Sequence, residues 1–509
     1  MTPLLEAAFC SVAMKTMRII VLAICLAVPA GLCAADAPPP NVVYVLADDL
    51  GYGDVRCLNP ERGKIETPHI DRLAGQGIVF TDAHSGSSVC TPTRYGVLTG
   101  RYAWRTRLQK GVLDGFPEPL IAADRLTVGK LLQAQGYRTA CIGKWHLGFT
   151  IENSAGAKKA AGASAPAPVG AITQNGPLTR GFDEYLGFQH ARSMDSLFVA
   201  DRVTKSVDPV DVLPLLAAEA RAFVSRQAER RQPFFLYFAL NSPHTPIVPS
   251  APWRGKSGLG DHGDYVMETD WAVGEVLAAI DEAGVGGDTL VVFSSDNGCS
   301  KAANITQLQT QGHYPSASMR GSKADIFDGG HRVPLIARWP GHIKLGSRSD
   351  QLVCLTDLIA TCAELCGVVL PDTAGEDSIS MLPALLGTGA APRHESVVHH
   401  SINGSFAIRQ GPWKLELCAD SGGWSDPKPG SKAAVRLPQA QLYNLQADIG
   451  ETNNVLAQHP KVVERLTASL EQIVSNGRST AGAPQANDVA IRIRKGPATP
   501  AKQKYAPSS

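Results

Sequence analysis

Two acidic pairs are the first chemistry the sequence offers. Asp48-Asp49 closes the apolar run Asn41–Leu46, and Asp296-Asn297 closes a second run, Leu290–Ser294. Donors that are all oxygen suit a hard divalent cation. Singly, each pair is ordinary turn chemistry, because turns are built from Asp, Asn and Gly. Both following apolar strands is what points to a metal. Next comes Cys90-Thr-Pro-Thr-Arg94, with Leu98-Thr-Gly-Arg101 behind it. A cysteine at a helix start sits where the dipole and free amides favour an anion, and Arg94, one turn on, can face the same spot. As chemistry alone this is a thiolate nucleophile or an anion site, set against an ordinary buried cysteine. Lys144 and His146, in Gly143-Lys-Trp-His-Leu-Gly148, share one side of an extended segment and pair a cation with a titratable base. His244, in Ser242-Pro-His-Thr-Pro246, and Lys323, in Arg320-Gly-Ser-Lys323, add a second base and a second cation. A lone loop histidine or lysine means little; here they converge after successive strands.

Those strands are expected at 41–46, 138–142, 234–240 and 290–294, with helices at 67–76, 92–98, 127–135 and 265–283. Alternating strand and helix implies an α/β fold with a large, mostly parallel sheet flanked by helices, whose ligands lie beyond the strand C-termini. From about Met381 the pattern changes to two short strands around Gly411-Pro412 and a closing amphipathic helix, Pro460–Ser475. The expected division is a catalytic domain over 37–385, with a flexible Ala/Gly/Ser/Pro-rich insertion at 152–169. A small C-terminal antiparallel sheet and helix domain follows over 386–476, and then a disordered tail over 477–509.

Composition narrows the function. Of 509 residues 44% are hydrophobic, enough for a large core, and 48 basic against 47 acidic residues give a net charge of +1. That neutrality argues against nucleic acid or acidic lipid as a general partner, and no later run is long enough to span a membrane. Lys15 and Arg18, the apolar run Ile19–Val28, and Cys33-Ala34-Ala35 have the three parts of a signal peptide over 1–36, implying a secreted or periplasmic protein. Leu32 before Cys33 makes a lipoprotein the poorer fit. Three of the eleven cysteines (Cys10, Cys25 and Cys33) go with that leader; the other eight match no zinc spacing and read mainly as core thiols.

In this order the motifs resemble the formylglycine-dependent sulfatases, from about Asn41 to Ser475. The resemblance rests on Ala47-Asp-Asp-Leu-Gly-Tyr-Gly53, Cys90-Thr-Pro-Thr-Arg94 with Leu98-Thr-Gly-Arg-Tyr102, Gly143–Gly148, Ser242–Pro246 and Ser295-Asp-Asn-Gly298. It implies an alkaline-phosphatase-like sandwich in which a maturation partner, a formylglycine-generating or sulfatase-maturating enzyme, oxidises Cys90 to formylglycine. Ca²⁺, ahead of Mg²⁺, would be held by Asp48, Asp49, Asp296, Asn297 and the modified Cys90. Arg94 and Lys144 would stabilise the hydrated aldehyde, and Lys144 and Lys323 would bind the sulfate ester. His244, aided by Lys323, would protonate the leaving alcohol, and His146 would take the proton that lets sulfate depart. The chain departs from the family pattern at Thr93, where Ser is usual, and at Asp328-Gly-Gly330, where Glu-Gly-Gly is commoner.

Asn59–Lys64 and Gly100–Arg107 look like the arylsulfatase A and N-acetylgalactosamine-6-sulfatase branch, which implies exo action on sulfated galactose or N-acetylgalactosamine, 6-O-sulfate first. His190, His262, His399 and His400 are candidate pocket residues, each near an expected strand end, although any one could be a packing histidine. Two rivals remain open at this point. One is a formylglycine-dependent phosphodiesterase or phosphonate monoester hydrolase. The other is a secreted sulfoglycan-binding protein whose Cys90 is never matured.

Overall fold

Asn41–Asp48 (β1) is buried at every position, as a parallel strand covered on both faces must be. It lies between Phe234–Pro243 (β7) and Thr289–Ser295 (β8), parallel to both, with Val43 opposite Leu236 and Val291. The computed structural model describes residues 39–152, 166–388 and 393–494. The expected leader, all but the ends of the insertion at 152–169, and the tail from 495 lie outside the described residues.

The remaining strands of the main sheet are Ile78–Phe80 (β2), Arg138–Lys144 (β3), Glu184–Phe188 (β4), Ser196–Val199 (β5), Arg202–Ser206 (β6), Leu335–Arg338 (β9) and Ser347–Ser349 (β10). Their order is β10-β2-β9-β8-β1-β7-β3-β4-β5-β6. The five central strands β8, β1, β7, β3 and β4 run parallel, while β9 and the β5–β6 hairpin run against their neighbours. Because side chains alternate along a strand, β1 feeds two cores. Val42, Tyr44 and Leu46 pack with the helices Cys90–Thr99 (α1) and Val128–Ala134 (α2). Val43 and Val45 pack with Pro209–Arg230 (α3) and Gly260–Glu282 (α4) on the other face.

A second sheet of four antiparallel strands, Val397–His400, Phe406–Gln410, Trp413–Glu416 and Gln441–Asn444, is covered by the helix Pro460–Ser475. Leu466 and Leu470 share a core there with Ile408, Leu415, Tyr102 and Trp104. Tyr102 and Trp104 come from the loop after α1, so this sheet is welded to the main fold, and from Pro39 onward the chain forms one compact unit.

The tail differs from expectation as far as Arg494. Arg101 Nη2 donates to Asp488 Oδ1 at 3.0 Å, Arg105 Nη1 donates to Asn487 Oδ1 at 3.0 Å, and Asn487 Nδ2 donates to Val474 O at 2.8 Å. Arg101 and Arg105 are fully buried, and a buried guanidinium needs acceptors from somewhere. Here the polar tail supplies them, which composition alone cannot reveal.

Candidate active site

The C-terminal ends of β1, β7, β8 and β3 meet the N-terminus of α1 at one edge of the sheet. β1 delivers Asp48 and, with left-handed backbone at φ 66°, Asp49. β8 delivers Asp296 and Asn297, and Asp296 N donates to Ala47 O. β3 ends at Gly143-Lys144: a side chain at Gly143 would put its Cβ 1.8 Å from Ala239 O of β7, so only glycine lets these strands close. His146 is also left-handed, at φ 56°. Two non-glycine residues held in that region beside one another's strands are a mark of functional constraint. Cys90 opens α1, with Pro92 in the first turn, where its missing N–H costs nothing.

Six charged groups interlock here, all buried. Arg94 donates to Asp296 Oδ2 through Nε at 3.0 Å and to Lys144 O through Nη1 at 3.1 Å, and its Nη2 lies 2.8 Å from the same Asp296 oxygen as an ion pair. Lys144 Nζ lies 2.6 Å from Asp48 Oδ2, and Lys323 Nζ lies 2.6 Å from Asp49 Oδ1. Asn297 Nδ2 donates to Asp49 Oδ1 at 2.8 Å, which leaves Asn297 Oδ1 without a hydrogen bond, as is Asp48 Oδ1. Burial alone would raise the Asp48 carboxyl, but Lys144, His244 and Arg94 outweigh it and hold it far below its ordinary value. Burial, and then the Asp48 carboxylate beside it, push Asp296 upward.

This arrangement fits a hard divalent cation. Ligand atoms of Asp48, Cys90 and Asp296 lie within 4.8 Å of one another, and two buried oxygens lack partners, so Asp48, Asp49, Asp296 and Asn297 could hold one. Cys90 is not set up as a thiolate: burial raises its pKa, and Lys144 and Lys323 offset only part of that. The thiol sits neutral among groups built to receive charge.

Three imidazoles line the same site. His146 Nε2 donates to Leu113 O at 2.8 Å, so Nδ1, which has no hydrogen-bond partner, carries the lone pair. His244 Nδ1 faces Thr245 O at 2.6 Å, and its Nε2 is 3.7 Å from Asp49. His190 stands edge-on to both, with ring centres 4.4 Å from His146 and 6.2 Å from His244. Burial, followed by Lys323, lowers His244 to about 4; burial, followed by Lys144, takes His146 well below the usual histidine range.

The other histidine candidates lie elsewhere. His399 stacks on His331, with ring centres 3.7 Å apart and planes within 12°, and touches His84 in a buried cluster under the small sheet. His400 packs on Phe406, and its carbonyl accepts from Ser87 Oγ. His262 Nε2 is 3.4 Å from Asp54 and 3.8 Å from Cys299 Sγ, inside the loops behind β1. All three are enclosed, as packing histidines are. Gln189 escaped sequence reasoning: it is fully buried beside His190, its carbonyl accepts from His146 N at 2.8 Å, and neither side-chain polar atom has a partner. A glutamine in a loop carries no signature of its own; only its place after β4 marked it.

The sulfatase family model matches residues 40–368, which carry every group of this site from Asp48 to Lys323. The chain belongs to the sulfatase family. This sulfatase is 32% identical over 486 residues to N-acetylgalactosamine-6-O-sulfatase of Bacteroides thetaiotaomicron, covering 85% of this chain and 93% of that one. It is 33% identical to human arylsulfatase A over 513 residues, covering 92% and 94%. A Bacteroides thetaiotaomicron protein solved in work on glycosaminoglycan metabolism superposes with a TM-score of 0.73 at 28% identity, covering 86% and 99%. The fold is therefore the alkaline-phosphatase-like sandwich with a small C-terminal sheet, and the enzyme is a sulfuric ester hydrolase. Among the described residues no helix is long and apolar enough to cross a membrane.

Proposed function

We propose that this sulfatase is a secreted or periplasmic, exo-acting enzyme that removes sulfate, 6-O-sulfate first, from galactose or N-acetylgalactosamine units. It uses formylglycine made from Cys90 and a bound Ca²⁺. The observation that carries the reading is the neutral Cys90 thiol at the head of α1, set between a carboxylate cluster and two buried lysines. A cysteine so placed is a poor thiolate but a good precursor for a group that needs cations around it.

A hydrated aldehyde at position 90 would supply a nucleophilic hydroxyl and a second, ionisable one, so that no water would need to attack the ester. A Ca²⁺ held by Asp48, Asp49, Asp296 and Asn297 supplies Lewis acidity toward the ester oxygens. The chain's own groups do the rest. Lys144 and Lys323 offset the negative charge of the ester and of the transition state, where a water-poor site makes each charge count. Arg94 fixes Asp296 and the Lys144 backbone relative to α1. His244 carries its transferable proton on Nε2, because Nδ1 is committed to Thr245 O, and delivers it to the departing alcohol oxygen. His146 accepts a proton at Nδ1, the nitrogen its contact with Leu113 O leaves free. His190 borders both and faces the sugar.

The sugar assignment draws on the relatives, one named as an N-acetylgalactosamine-6-O-sulfatase. Three measurements on protein from its native host test the reading. The mass of the Cys90 peptide must show formylglycine, metal analysis must find calcium, and sulfated monosaccharides must be turned over with the 6-O-sulfate of galactose or N-acetylgalactosamine preferred. An unmodified Cys90, or faster cleavage of aryl phosphate diesters than of aryl sulfate, sinks it.

A further inference from the structure

The segment that carries Lys323 also forms the wall of a separate cleft of about 570 Å³, in the usual size range of small-molecule sites. Lys301, Asn304, Gln309, Ser316, Arg320 and Ser322 line it. The lining is polar and cationic. Arg320 is held in place over the Phe327 ring at 3.8 Å and donates to Glu451 O at 2.8 Å. Ser322 Oγ, immediately before Lys323, is buried and has no hydrogen-bond partner.

Trp424, the residue before Ser425 of the lining, is 38% exposed, one of seven large apolar side chains exposed among the described residues. Its carbonyl accepts from Lys301 Nζ, and its neighbour Ser425 belongs to the lining. Asp325 ties both walls together. One of its oxygens accepts from Trp424 N at 2.8 Å and Ser425 N at 2.9 Å, and the other accepts from Ser322 N at 3.0 Å. A single buried carboxylate thus sets the tryptophan corner relative to the Lys323 segment. Spent on backbone amides, it adds no free negative charge to the cleft.

We propose that this cleft is a second sugar subsite, which receives the residue adjoining the sulfated unit in an oligosaccharide and favours an anionic one such as a uronate. An exposed indole offers the flat apolar face on which a pyranose ring packs, and the amides and hydroxyls match its hydroxyl groups. Lys301 and Arg320 meet its carboxylate. The inference rests on the carbohydrate reading above and extends it from one sugar to two.

The test compares three substrates: an aryl sulfate, N-acetylgalactosamine 6-sulfate, and a chondroitin 6-sulfate trisaccharide ending in that residue at its non-reducing end. Wild type should favour the trisaccharide over the monosaccharide in kcat/KM. Trp424→Ala and Lys301→Gln should each raise KM for the trisaccharide by about tenfold, the worth of one lost contact, with the other two substrates unchanged. Wild-type parity between the two sugars, or variant effects equal across all three substrates, would overturn the subsite alone. Turnover of the aryl sulfate with neither sugar touched would overturn the carbohydrate reading and this subsite with it.

Discussion

Arg94→Lys asks how far one guanidinium organises the site. Arg94 makes two directed bonds, one to Asp296 at 3.0 Å and one to Lys144 O at 3.1 Å, and its Nη2 pairs with the same Asp296 oxygen at 2.8 Å. A lysine keeps the charge but reaches at most one of these acceptors. At least one hydrogen bond from a charged donor is lost, at about 1.5–3 kcal/mol. About 1.5–3 kcal/mol of positioning energy converts to roughly a tenfold to hundredfold fall in kcat/KM. The assay is steady-state hydrolysis of an aryl sulfate, whose good leaving group isolates attack on sulfur from proton donation. Two controls separate causes. The mass of the Cys90 peptide shows whether the variant is still matured, since Arg94 lies in the matured motif, and a thermal melt shows whether it folds. A matured, folded Arg94→Lys enzyme within threefold of wild type would refute the view that Arg94 fixes Asp296 and the Lys144 backbone.

Three further outcomes follow from the same contacts. His244→Ala should slow hydrolysis of alkyl sulfates far more than of an activated aryl sulfate, and equal losses would remove His244 as the leaving-group acid. Since burial and Lys323 lower His244 to about 4, its acid form grows as pH falls, so kcat/KM for alkyl sulfates should climb from about pH 7 toward 4; a flat profile contradicts it. Burial would lower His394, but Asp357, 2.8 Å away, outweighs it and raises the imidazole. Its contribution to stability is complete below about pH 6.5 and lost as pH rises through the folded value, so His394→Gln should depress Tm more at about pH 5.5 than at about pH 9; an equal depression at both refutes the pairing. Asp377→Asn breaks the two-pronged contact with Arg105, at 2.7 and 2.8 Å, and should cost about 3–5 kcal/mol in denaturant unfolding, because a buried guanidinium is left unpaired; an unchanged midpoint would show that the pair is dispensable.

How much of this the sequence made legible depends on where each signal lies. β1 and β8 were plain because a strand covered on both faces must be apolar throughout, and the acidic pairs that end them stood at the edge where such sheets bind ligands. The order of motifs carried the rest of the core site. The β5–β6 hairpin was not legible: Val199 is 41% exposed and Arg202–Ser206 is largely polar, so an edge strand lacks the apolar pattern that marks a central one. Helix α3 carries Pro214 in its first two turns, which breaks the helical reading although packing against α4 sustains it. His399 was judged by its nearness to a strand end, yet the strand is in the small sheet. Its partners, His84 and His331, are far away in sequence, and no local pattern encodes their meeting.

The neutrality of the whole chain has a counterpart inside the site. Asp48, Asp49 and Asp296 set three negative charges against Arg94, Lys144 and Lys323, with each cation already within 3 Å of a carboxylate oxygen. A balanced, buried set of this kind has little net attraction for an anion, and burying a further negative charge beside it is costly. A divalent cation among the carboxylates would reverse the sign. It would compete for the oxygens that Lys144 and Lys323 hold, and would leave the site with net positive charge where a sulfate ester must sit. The first task of such a cation would be to turn a self-neutralised cluster into an anion receptor. The attraction for an anion would then be confined to the few ångströms around the cluster, which a chain of near-zero net charge allows.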